Sequence, residues 1–335
     1  MSGRLGGVAV DVTDLEIPKA GFSNETIMAT VVVEDGPSSR TDDIVLRIEP
    51  TSHQLFLAPD ALRQAAVMLT LAPHVAVPEV LLTESDPTFF GAPFYVMRRV
   101  RGNVTPDIPT WHSRGWATRL DDAERSRLHD NGLRELVALH AIDTSGSEFD
   151  LLANPGEGTA LECFVGWLHR MYEWCEPVRL HDADILDEAM RFVLDEMPVD
   201  SSRSVLWGDA RMGNIVFGED LNVAAMLDWE GASLGPPGFD LAWWAMFDEF
   251  LTATIGVSRL GGIPDREGTY LRYRELGGGS ARDLPYYDVA APLMFALINS
   301  RLAALLVAQD VSTPEFARSI VSRTTGLIAA ALDRW

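Results

Sequence analysis

The sequence predicts an α+β fold of two lobes, in which a small strand-rich lobe precedes a larger, mainly helical one. Short apolar runs bounded by turn residues concentrate in the first 100 residues, and apolar residues at helical spacing dominate after them. A chain of 335 residues is long enough for two lobes with separate cores. We expect the lobes at 1–100 and 110–335, joined by a linker at 101–109 that contains glycine and proline.

Composition and charge exclude several classes of protein. Hydrophobic residues make up 47% of the chain, which excludes wholesale disorder. A formal net charge of -22 argues against nucleic acid and anionic membranes as partners. It would suit a cationic substrate, although an acidic surface more often serves solubility. The sequence starts without a secretory signal pattern, and Asn299 and Arg301 interrupt the apolar stretch 292–309, so we expect a cytoplasmic protein without a membrane span.

The first lobe is expected to consist mostly of strands. In order, its predicted elements are a lead-in at 8–14, a turn-rich segment at 17–24, a strand at 26–33, a polar loop at 34–43, a strand at 44–48, a helix at 59–71, and extended segments at 75–82 and 93–100. Asp60 is a plausible N-cap for the helix. The strand at 44–48 carries a basic residue, Arg47, within an apolar run.

The second lobe is expected to be helical around one cluster of short strands. Helices are predicted at 123–142, 160–174, 184–196, 241–251, 266–276, 286–309 and 314–332. His140 lies on a core-like helix and is interpreted as a hydrogen-bonded structural histidine. Apolar pieces at 205–207, 215–217 and 223–229 predict a hairpin-like platform that presents polar side chains on its loops.

The chemistry is predicted to lie within this platform. Asp209 and Asn214 stand as D-x-x-x-x-N, and Asp228 ends the next apolar strand. Phosphoryl transfer needs one carboxylate to orient the attacking hydroxyl and further oxygens to hold magnesium against the phosphates, and kinase catalytic loops show the same Asp-to-Asn separation. We therefore expect Asp209 to act on the acceptor hydroxyl, and Asn214 and Asp228 to bind Mg²⁺.

Two competing motifs are disfavoured. The residues from Gly231 to Gly235 match the G-x-S-x-G nucleophile elbow of hydrolases around Ser233, but that fold needs a histidine after the serine, and the last histidine is His181. A Walker P-loop requires Gly-Lys-Ser/Thr, whereas the sole lysine, Lys19, is followed by alanine.

The platform resembles the signature of the aminoglycoside phosphotransferase and choline kinase-like superfamily, and more closely the branch that includes the kinase-like domains of some acyl-CoA dehydrogenases. That family shows H-G-D-x-x-x-x-N, then I/L-D-W-E, then G-x-P-x-x-D-L-A. This chain reads W-G-D at 207–209, L-D-W-E at 227–230 and GPPGFDLA at 235–242. Trp207 therefore stands where the family has a histidine, and its support of the catalytic loop must differ.

The resemblance implies a protein kinase-like fold with an antiparallel-sheet N-lobe that binds ATP or GTP together with Mg²⁺. It implies that a loop with Gly21, Ser23 and Asn24 covers the nucleotide phosphates and that Arg47, the basic residue of the strand, holds them. It also implies that Met97 and Arg99 lie beside the adenine. It also implies a supporting set: Gln64, Trp207, Arg211, Glu230 and Asp240. Gln64 replaces a glutamate that pairs with the strand basic residue in the family, so a hydrogen bond to Arg47 is expected instead of an ion pair.

The resulting hypothesis is an ATP- and magnesium-dependent O-phosphotransferase acting on the hydroxyl of a small molecule. The acceptor is either an antibiotic, such as an aminoglycoside or a nucleoside antibiotic, which implies antibiotic resistance, or a hydroxylated metabolite such as a hydroxyacyl-CoA. A nucleotide-binding regulator without transfer is the third alternative. Asp248, Glu249, Asp265 and Glu267 could receive a cationic drug or simply form a solvated face. The sequence leaves the oligomeric state open.

Overall fold

Two lobes follow one another along the chain in a computed structural model, which describes residues 9–17, 25–35, 38–51, 54–179, 183–279 and 281–335. The first is built on one antiparallel sheet and the second is mainly helical. The predicted α+β class with two lobes is therefore confirmed.

The sheet of the N-lobe has five strands in the order β1-β2-β3-β5-β4, with every neighbouring pair antiparallel. The elements of this lobe are β1 (Ala9–Glu16), β2 (Glu25–Asp35), β3 (Ser38–Ile48), α1 (Ala61–Leu71), β4 (Val80–Glu84) and β5 (Phe94–Arg98). Helix α1 begins after Asp60, whose side chain accepts a hydrogen bond from the Arg63 N–H at 2.8 Å, as predicted for an N-cap.

Two predictions for this lobe are wrong. The segment 8–14, interpreted as a lead-in, lies largely in β1. The polar segment 34–43 was expected to be a loop, but its described residues 34–35 and 38–43 continue β2 and β3, with Glu34 opposite Ser39. The outer part of this hairpin is solvated, with Arg40 and Thr41 exposed. Because an antiparallel sheet tolerates water on one side, polar residues form strands there without a hydrophobic pattern.

The helices of the C-lobe agree with the prediction to within a few residues. They are α2 (Asp122–His140), α3 (Ala160–Trp174), α4 (Ala183–Asp195), α5 (Gly238–Phe250), α6 (Arg266–Glu275), α7 (Leu284–Ala308) and α8 (Pro314–Leu332). Helix α7 is long and apolar enough to cross a membrane by length and composition, but 72% of its most apolar window is buried in the fold. It packs against α4, α5 and α8, as expected of a core helix.

The strands of the predicted platform pair differently from the expected hairpin. They are β6 (Ser204–Leu206), β7 (Ile215–Phe217), β8 (Val223–Met226) and β9 (Ser233–Gly235). Strand β6 pairs with β9, and β7 pairs with β8, so two small sheets replace one platform. Ser233 lies inside β9 opposite Leu206 and is 5% exposed, which gives no support to the nucleophile elbow.

Helix α1 packs against β4 and β5 of its own sheet and is also attached to the C-lobe. Its buried apolar residues belong to the large hydrophobic cluster that includes Tyr95 of β5 and most of the C-lobe core, whereas the sheet has a separate small cluster around Ile44 and Val96. The Arg63 guanidinium donates to two C-lobe carbonyls, from Nε to Leu151 at 3.0 Å and from Nη2 to Ala232 at 2.7 Å. These contacts fix α1 beside the strands that carry the predicted site.

Candidate active site

A cavity of about 600 Å³ lies between the lobes. Its walls come from β2, β3 and β5, from the segment after β5 and from the loops after β6 and β8, and its polar lining includes Asp43, Arg47, Tyr95, Arg99, Asn214 and Asp228. The size is typical of a small-molecule site, which spans about 300–1,000 Å³. The structure thus brings Arg47, Met97 and Arg99 of the N-lobe to one cleft with Asn214 and Asp228 of the C-lobe, while Asp209 is not among the residues that line it.

The loop after β6 holds Asp209 in a closed network of donors. The Asn214 side-chain amide donates to Asp209 Oδ2 at 2.7 Å and to the Asp209 carbonyl at 3.0 Å. Trp243 Nε1 donates to Oδ1 at 2.9 Å, and Arg211 Nε lies 3.0 Å from both carboxylate oxygens. Asp209 and Asn214 are therefore in direct contact, as the D-x-x-x-x-N spacing implies.

Asp240 fixes the start of this loop through hydrogen bonds to its backbone. Its carboxylate is fully buried and accepts hydrogen bonds from the Trp207 N–H at 2.6 Å and the Gly208 N–H at 2.9 Å. His140 Nε2 lies 3.1 Å from the same carboxylate, and His140 Nδ1 lies 2.7 Å from the Tyr273 hydroxyl. His140 is thus hydrogen-bonded on both ring nitrogens within the core.

Gly208 is required by the approach of another loop. Its φ of +85° lies in the left-handed region, and a Cβ there would stand 2.2 Å from the Gly231 carbonyl oxygen. Only glycine fits both conditions without displacing backbone.

Trp207 connects the loop of Asp209 to the strand that ends at Asp228. Its indole is buried, lies 5.8 Å from the Trp229 ring between centroids, and donates from Nε1 to the Leu227 carbonyl at 2.8 Å. That carbonyl precedes Asp228, which adopts a left-handed φ of +60°. The tryptophan thus fixes the backbone beside Asp228 by a bond that the sequence did not reveal.

Arg47 and Asp228 face each other across the cleft with unsatisfied atoms. Arg47 Nη2 lies 3.6 Å from Asp228 Oδ1. Within the described ranges, both Arg47 Nε and Asp228 Oδ1 are buried without a hydrogen-bond partner. Burial disfavours the charge of Arg47, but Tyr95, Asp228 and Glu230 more than offset this and raise its pKa. Such orphaned charged atoms are costly unless a ligand completes them.

The donor set suits Mg²⁺ bound together with a nucleotide. Magnesium usually takes one or two carboxylates and completes its shell with phosphates and water. Asn214 and Asp228 both line the cavity. No cluster of three or more His, Cys, Asp or Glu side chains suited to a metal occurs in the part of the chain that the structure describes. A metal here would therefore depend on phosphate oxygens in addition to these two side chains.

The expected hydrogen bond between Gln64 and Arg47 is replaced by another contact. Gln64 is 2% exposed and accepts from the Tyr95 hydroxyl at 3.3 Å. Tyr95 is the register partner of Arg47 across β3 and β5, and burial raises the pKa of its hydroxyl to about 12. The sequence prediction did not include Tyr95, whose hydroxyl takes the place beside Gln64 that was expected for the Arg47 guanidinium.

Met97 and Arg99, predicted beside the adenine, line the cavity with Arg98 between them, but the backbone donors of Arg98 and Arg99 are already used. The Arg98 N–H donates to the Glu79 carbonyl at 2.9 Å, and the Arg99 N–H donates to the Asp43 carbonyl at 2.8 Å. Met97 also lines the cavity, as does the segment 100–102 that follows. Gly21, Ser23 and Asn24, predicted over the phosphates, lie outside the described residues.

Sequence reasoning missed Asp107 and Trp243 and left Arg211 without a defined partner. Arg211 Nη1 donates to Asp107 Oδ2 at 2.6 Å, and its guanidinium lies 4.7 Å from the centre of the Phe247 ring. Burial raises the pKa of Asp107. Asp107 stood in the linker without a motif, and Trp243 looked like an ordinary core residue, so no sequence signal pointed to either.

The carboxylates considered for a cationic drug are mostly engaged within the protein. Asp248 accepts from His112 Nε2 at 2.8 Å and from Arg259 Nε at 2.6 Å. Glu249 is paired with Arg266, and Asp265 caps α6. Asp265 and Glu267 are exposed, as the alternative of a solvated face predicts, whereas Asp248 and Glu249 are half-buried.

Known proteins resemble this chain in sequence. Residues 14–276 match the model of the phosphotransferase enzyme family. Acyl-CoA dehydrogenase family member 11 of Homo sapiens is 26% identical over 198 residues, which are 57% of this chain and 23% of that protein. The Gallus gallus protein of the same name is 29% identical over 195 residues. The chain thus spans less than a quarter of these relatives.

Solved structures share the fold. A protein of Ralstonia eutropha JMP134, provisionally described as an aminoglycoside phosphotransferase, superposes with a TM-score of 0.71 at 22% identity, covering 98% of this chain and 93% of that one. A thermostable mutant of aminoglycoside phosphotransferase APH(4)-Ia, in a ternary complex with AMP-PNP and hygromycin B, gives a TM-score of 0.60 at 17% identity, covering 96% and 94%.

Proposed function

Because the chain belongs to the phosphotransferase enzyme family, we propose that it is an ATP- and Mg²⁺-dependent O-phosphotransferase that acts on the hydroxyl of a small molecule. The observation that carries the proposal is the pair of unsatisfied charged atoms, Arg47 Nε and Asp228 Oδ1, at a cavity of about 600 Å³. A nucleotide phosphate and its metal would complete both atoms. The AMP-PNP complex of the structurally similar phosphotransferase supports a nucleotide in this cleft.

Each polar group has a role in the transfer. Arg47 grips phosphate oxygens, since a guanidinium offers a fork of donors matched to them. Asn214 and Asp228 would hold Mg²⁺, which when bound supplies neutralisation of the phosphate charge. Asp209 orients the acceptor hydroxyl and takes its proton as the acceptor oxygen bonds to the γ-phosphorus, while the bond from that phosphorus to the bridging oxygen breaks and ADP leaves. Positioning and electrostatics supply most of the acceleration.

Two acceptor classes follow from the comparisons. The hygromycin B complex favours an antibiotic hydroxyl, and the likeness to acyl-CoA dehydrogenase family members favours a hydroxylated metabolite such as a hydroxyacyl-CoA. The paired states of Asp248 and Glu249 weaken the case for a polycationic drug. A regulator without transfer is the less favoured alternative, because Asp209 and Asn214 are in direct contact and Asn214 and Asp228 share the cleft.

Asp209→Ala and Asp228→Ala test the assignment. With ATP and Mg²⁺, ADP release and phosphorylated product are measured by mass spectrometry over aminoglycosides, nucleoside antibiotics, macrolides and hydroxyacyl-CoAs. We expect Asp209→Ala to lower kcat by about 10²–10⁴-fold with nucleotide binding retained, since general-base catalysis contributes that much. Asp228→Ala should lose the magnesium dependence of nucleotide binding.

Asp184→Ala is the matched control, because Asp184 is an exposed carboxylate in the first turn of α4. Undiminished transfer in either active-site variant would show that the roles are wrong. Nucleotide binding without transfer to any member of the panel would favour the regulator.

A further inference from the structure

Tyr95 lies beside two polar residues at one wall of the cavity. It belongs to β5, is 3% exposed and lines the cavity. Its hydroxyl donates to Gln64 Oε1 of α1 at 3.3 Å, and its register partner on β3 is Arg47. Side chains of register partners stand on the same face of a sheet, with Cβ atoms about 4.5–5.5 Å apart. Tyr95 is therefore a neighbour of both the Gln64 amide and the Arg47 guanidinium.

The single proton of the Tyr95 hydroxyl is used by Gln64. A tyrosine hydroxyl has one donor, and its oxygen also accepts hydrogen bonds. Burial raises the pKa of Tyr95 to about 12, so the hydroxyl stays protonated and neutral at neutral pH. With its proton directed to Gln64 Oε1, the hydroxyl can only accept from its other neighbours. Arg47 has donors and no acceptor, so it is the partner that this oxygen fits.

The Arg47 guanidinium is charged and still has a donor for a ligand. Burial lowers the pKa of Arg47, but its neighbours, with Tyr95 first among them, raise it overall. Arg47 Nη2 lies 3.6 Å from Asp228 Oδ1, and within the described ranges Arg47 Nε is buried without a hydrogen-bond partner. Tyr95 thus supports the guanidinium while Nε remains available.

This support leaves the charge of Arg47 to a ligand. A carboxylate in the place of the hydroxyl would offset the positive charge and compete with phosphate oxygens for the same donors. The Tyr95 hydroxyl and the Gln64 amide are both neutral, and Gln64 accepts the tyrosine proton through its oxygen. The two side chains can therefore orient Arg47 without adding an anion beside the phosphates.

We propose that Tyr95 is a positioning residue for the nucleotide phosphates, whose hydroxyl, fixed by Gln64, directs the Arg47 guanidinium toward them. The proposal rests on the proposed function, because it takes the cavity to hold a nucleotide whose phosphates meet Arg47. Since Tyr95 acts through Arg47, its contribution must depend on the phosphates and not on the base.

Ligands with and without phosphates test the proposal by binding alone. Isothermal titration calorimetry of the full chain measures AMP-PNP with MgCl₂ and, separately, adenosine. We expect Tyr95→Phe to weaken AMP-PNP binding about 10-fold, because a hydrogen bond to a charged group contributes at least that much. Adenosine lacks the phosphates that Arg47 meets, so its dissociation constant should change less than about 3-fold.

Gln64→Met tests the same contact from the other side, because it nearly keeps the side-chain volume and removes the acceptor of the tyrosine proton. It should weaken AMP-PNP about 5-fold, as the loss of a neutral hydrogen bond implies, and adenosine much less. In the Tyr95→Phe background it should cause no further loss, because residues that act through one contact are not additive. If Tyr95→Phe does not fold, Gln64→Met alone carries the comparison of AMP-PNP with adenosine.

Tyr286→Phe is the matched control. Tyr286 is also buried, and its hydroxyl donates to the Val193 carbonyl at 2.9 Å within the C-lobe, away from the residues that line the cavity. This variant loses a buried tyrosine hydroxyl as Tyr95→Phe does, but it should keep the wild-type affinity for both AMP-PNP and adenosine.

Unchanged AMP-PNP affinity in Tyr95→Phe would overturn the proposal. Equal weakening of AMP-PNP and adenosine would also overturn it, because Tyr95 would then only shape the wall of the cavity. Additive losses in the double variant would do the same, since Gln64 would not act through Tyr95. A wild-type chain that binds no AMP-PNP would overturn both this proposal and the proposed function. Phosphate-dependent binding as expected, without phosphoryl transfer to any hydroxyl, would overturn the proposed function alone.

Discussion

Trp207→Phe should destabilise the protein and weaken magnesium binding through one lost hydrogen bond. The indole N–H reaches the Leu227 carbonyl at 2.8 Å within a buried environment. A buried carbonyl left without its donor costs about 1–3 kcal/mol. The smaller ring leaves unfilled space worth about 1 kcal/mol more. We therefore expect a loss of about 2–4 kcal/mol in the free energy of unfolding.

The assay combines urea unfolding, followed by far-UV circular dichroism, with magnesium titration of ADP binding. Because Leu227 precedes Asp228, the concentration of Mg²⁺ at half-saturation should rise while ADP binding without magnesium stays unchanged. Trp116→Phe is the control, since Trp116 Nε1 makes the same type of bond, 3.0 Å to the Val104 carbonyl, at an exposed site. Water replaces a bond lost there, so the loss should stay below about 1 kcal/mol.

The reasoning is refuted if Trp207→Phe unfolds within about 0.5 kcal/mol of the wild type, the scatter of ordinary surface substitutions. It is also refuted if Trp116→Phe is equally damaging. A stability loss without any change in the magnesium titration would leave Trp207 a packing residue only.

Two further predictions concern a backbone position and a buried histidine. Gly208→Ala should lower the free energy of unfolding by about 2–5 kcal/mol, because backbone strain adds to the clash of a Cβ 2.2 Å from the Gly231 carbonyl oxygen. Gly256→Ala is the control, since Gly256 also has a positive φ but a Cβ there would meet nothing within 4 Å, and it should lower the free energy of unfolding by about 1 kcal/mol. Equal losses of the two variants in urea unfolding would contradict this reasoning. Burial lowers the pKa of His129 to about 4. Since the unfolded chain binds this proton near pH 6.5, stability should fall as pH drops from 6.5 to 4, by at most about 3 kcal/mol. His129→Gln should lack that component of the pH dependence, and identical slopes in the two proteins would disprove the assignment.

Elements set by local sequence were predictable. Helix α3 spans the predicted residues, because Thr159 and Glu162 form a capping box and the apolar face follows the helical period. Asp209 and Asn214 meet because only four residues of one short loop separate them. In both cases the partners lie close in the chain, so spacing alone specifies the contact.

Elements set by distant partners were not predictable. Asp107 and Arg211 are 104 residues apart, and no sequence motif around either residue indicates that they pair. The pairing of β6 with β9 likewise depends on packing and not on a turn between them. Gln64 bonds to Tyr95 because α1 packs against β5, and no local pattern in the sequence specifies that packing.

Helix α1 couples the two lobes through neighbouring residues. Arg63 ties this helix to Leu151 and Ala232 of the C-lobe, and the next residue, Gln64, accepts the hydrogen bond of Tyr95 in β5. Tyr95 also lines the cavity. A substitution that shifts α1, even one on its C-lobe side, should therefore alter the wall of the cavity that β5 provides.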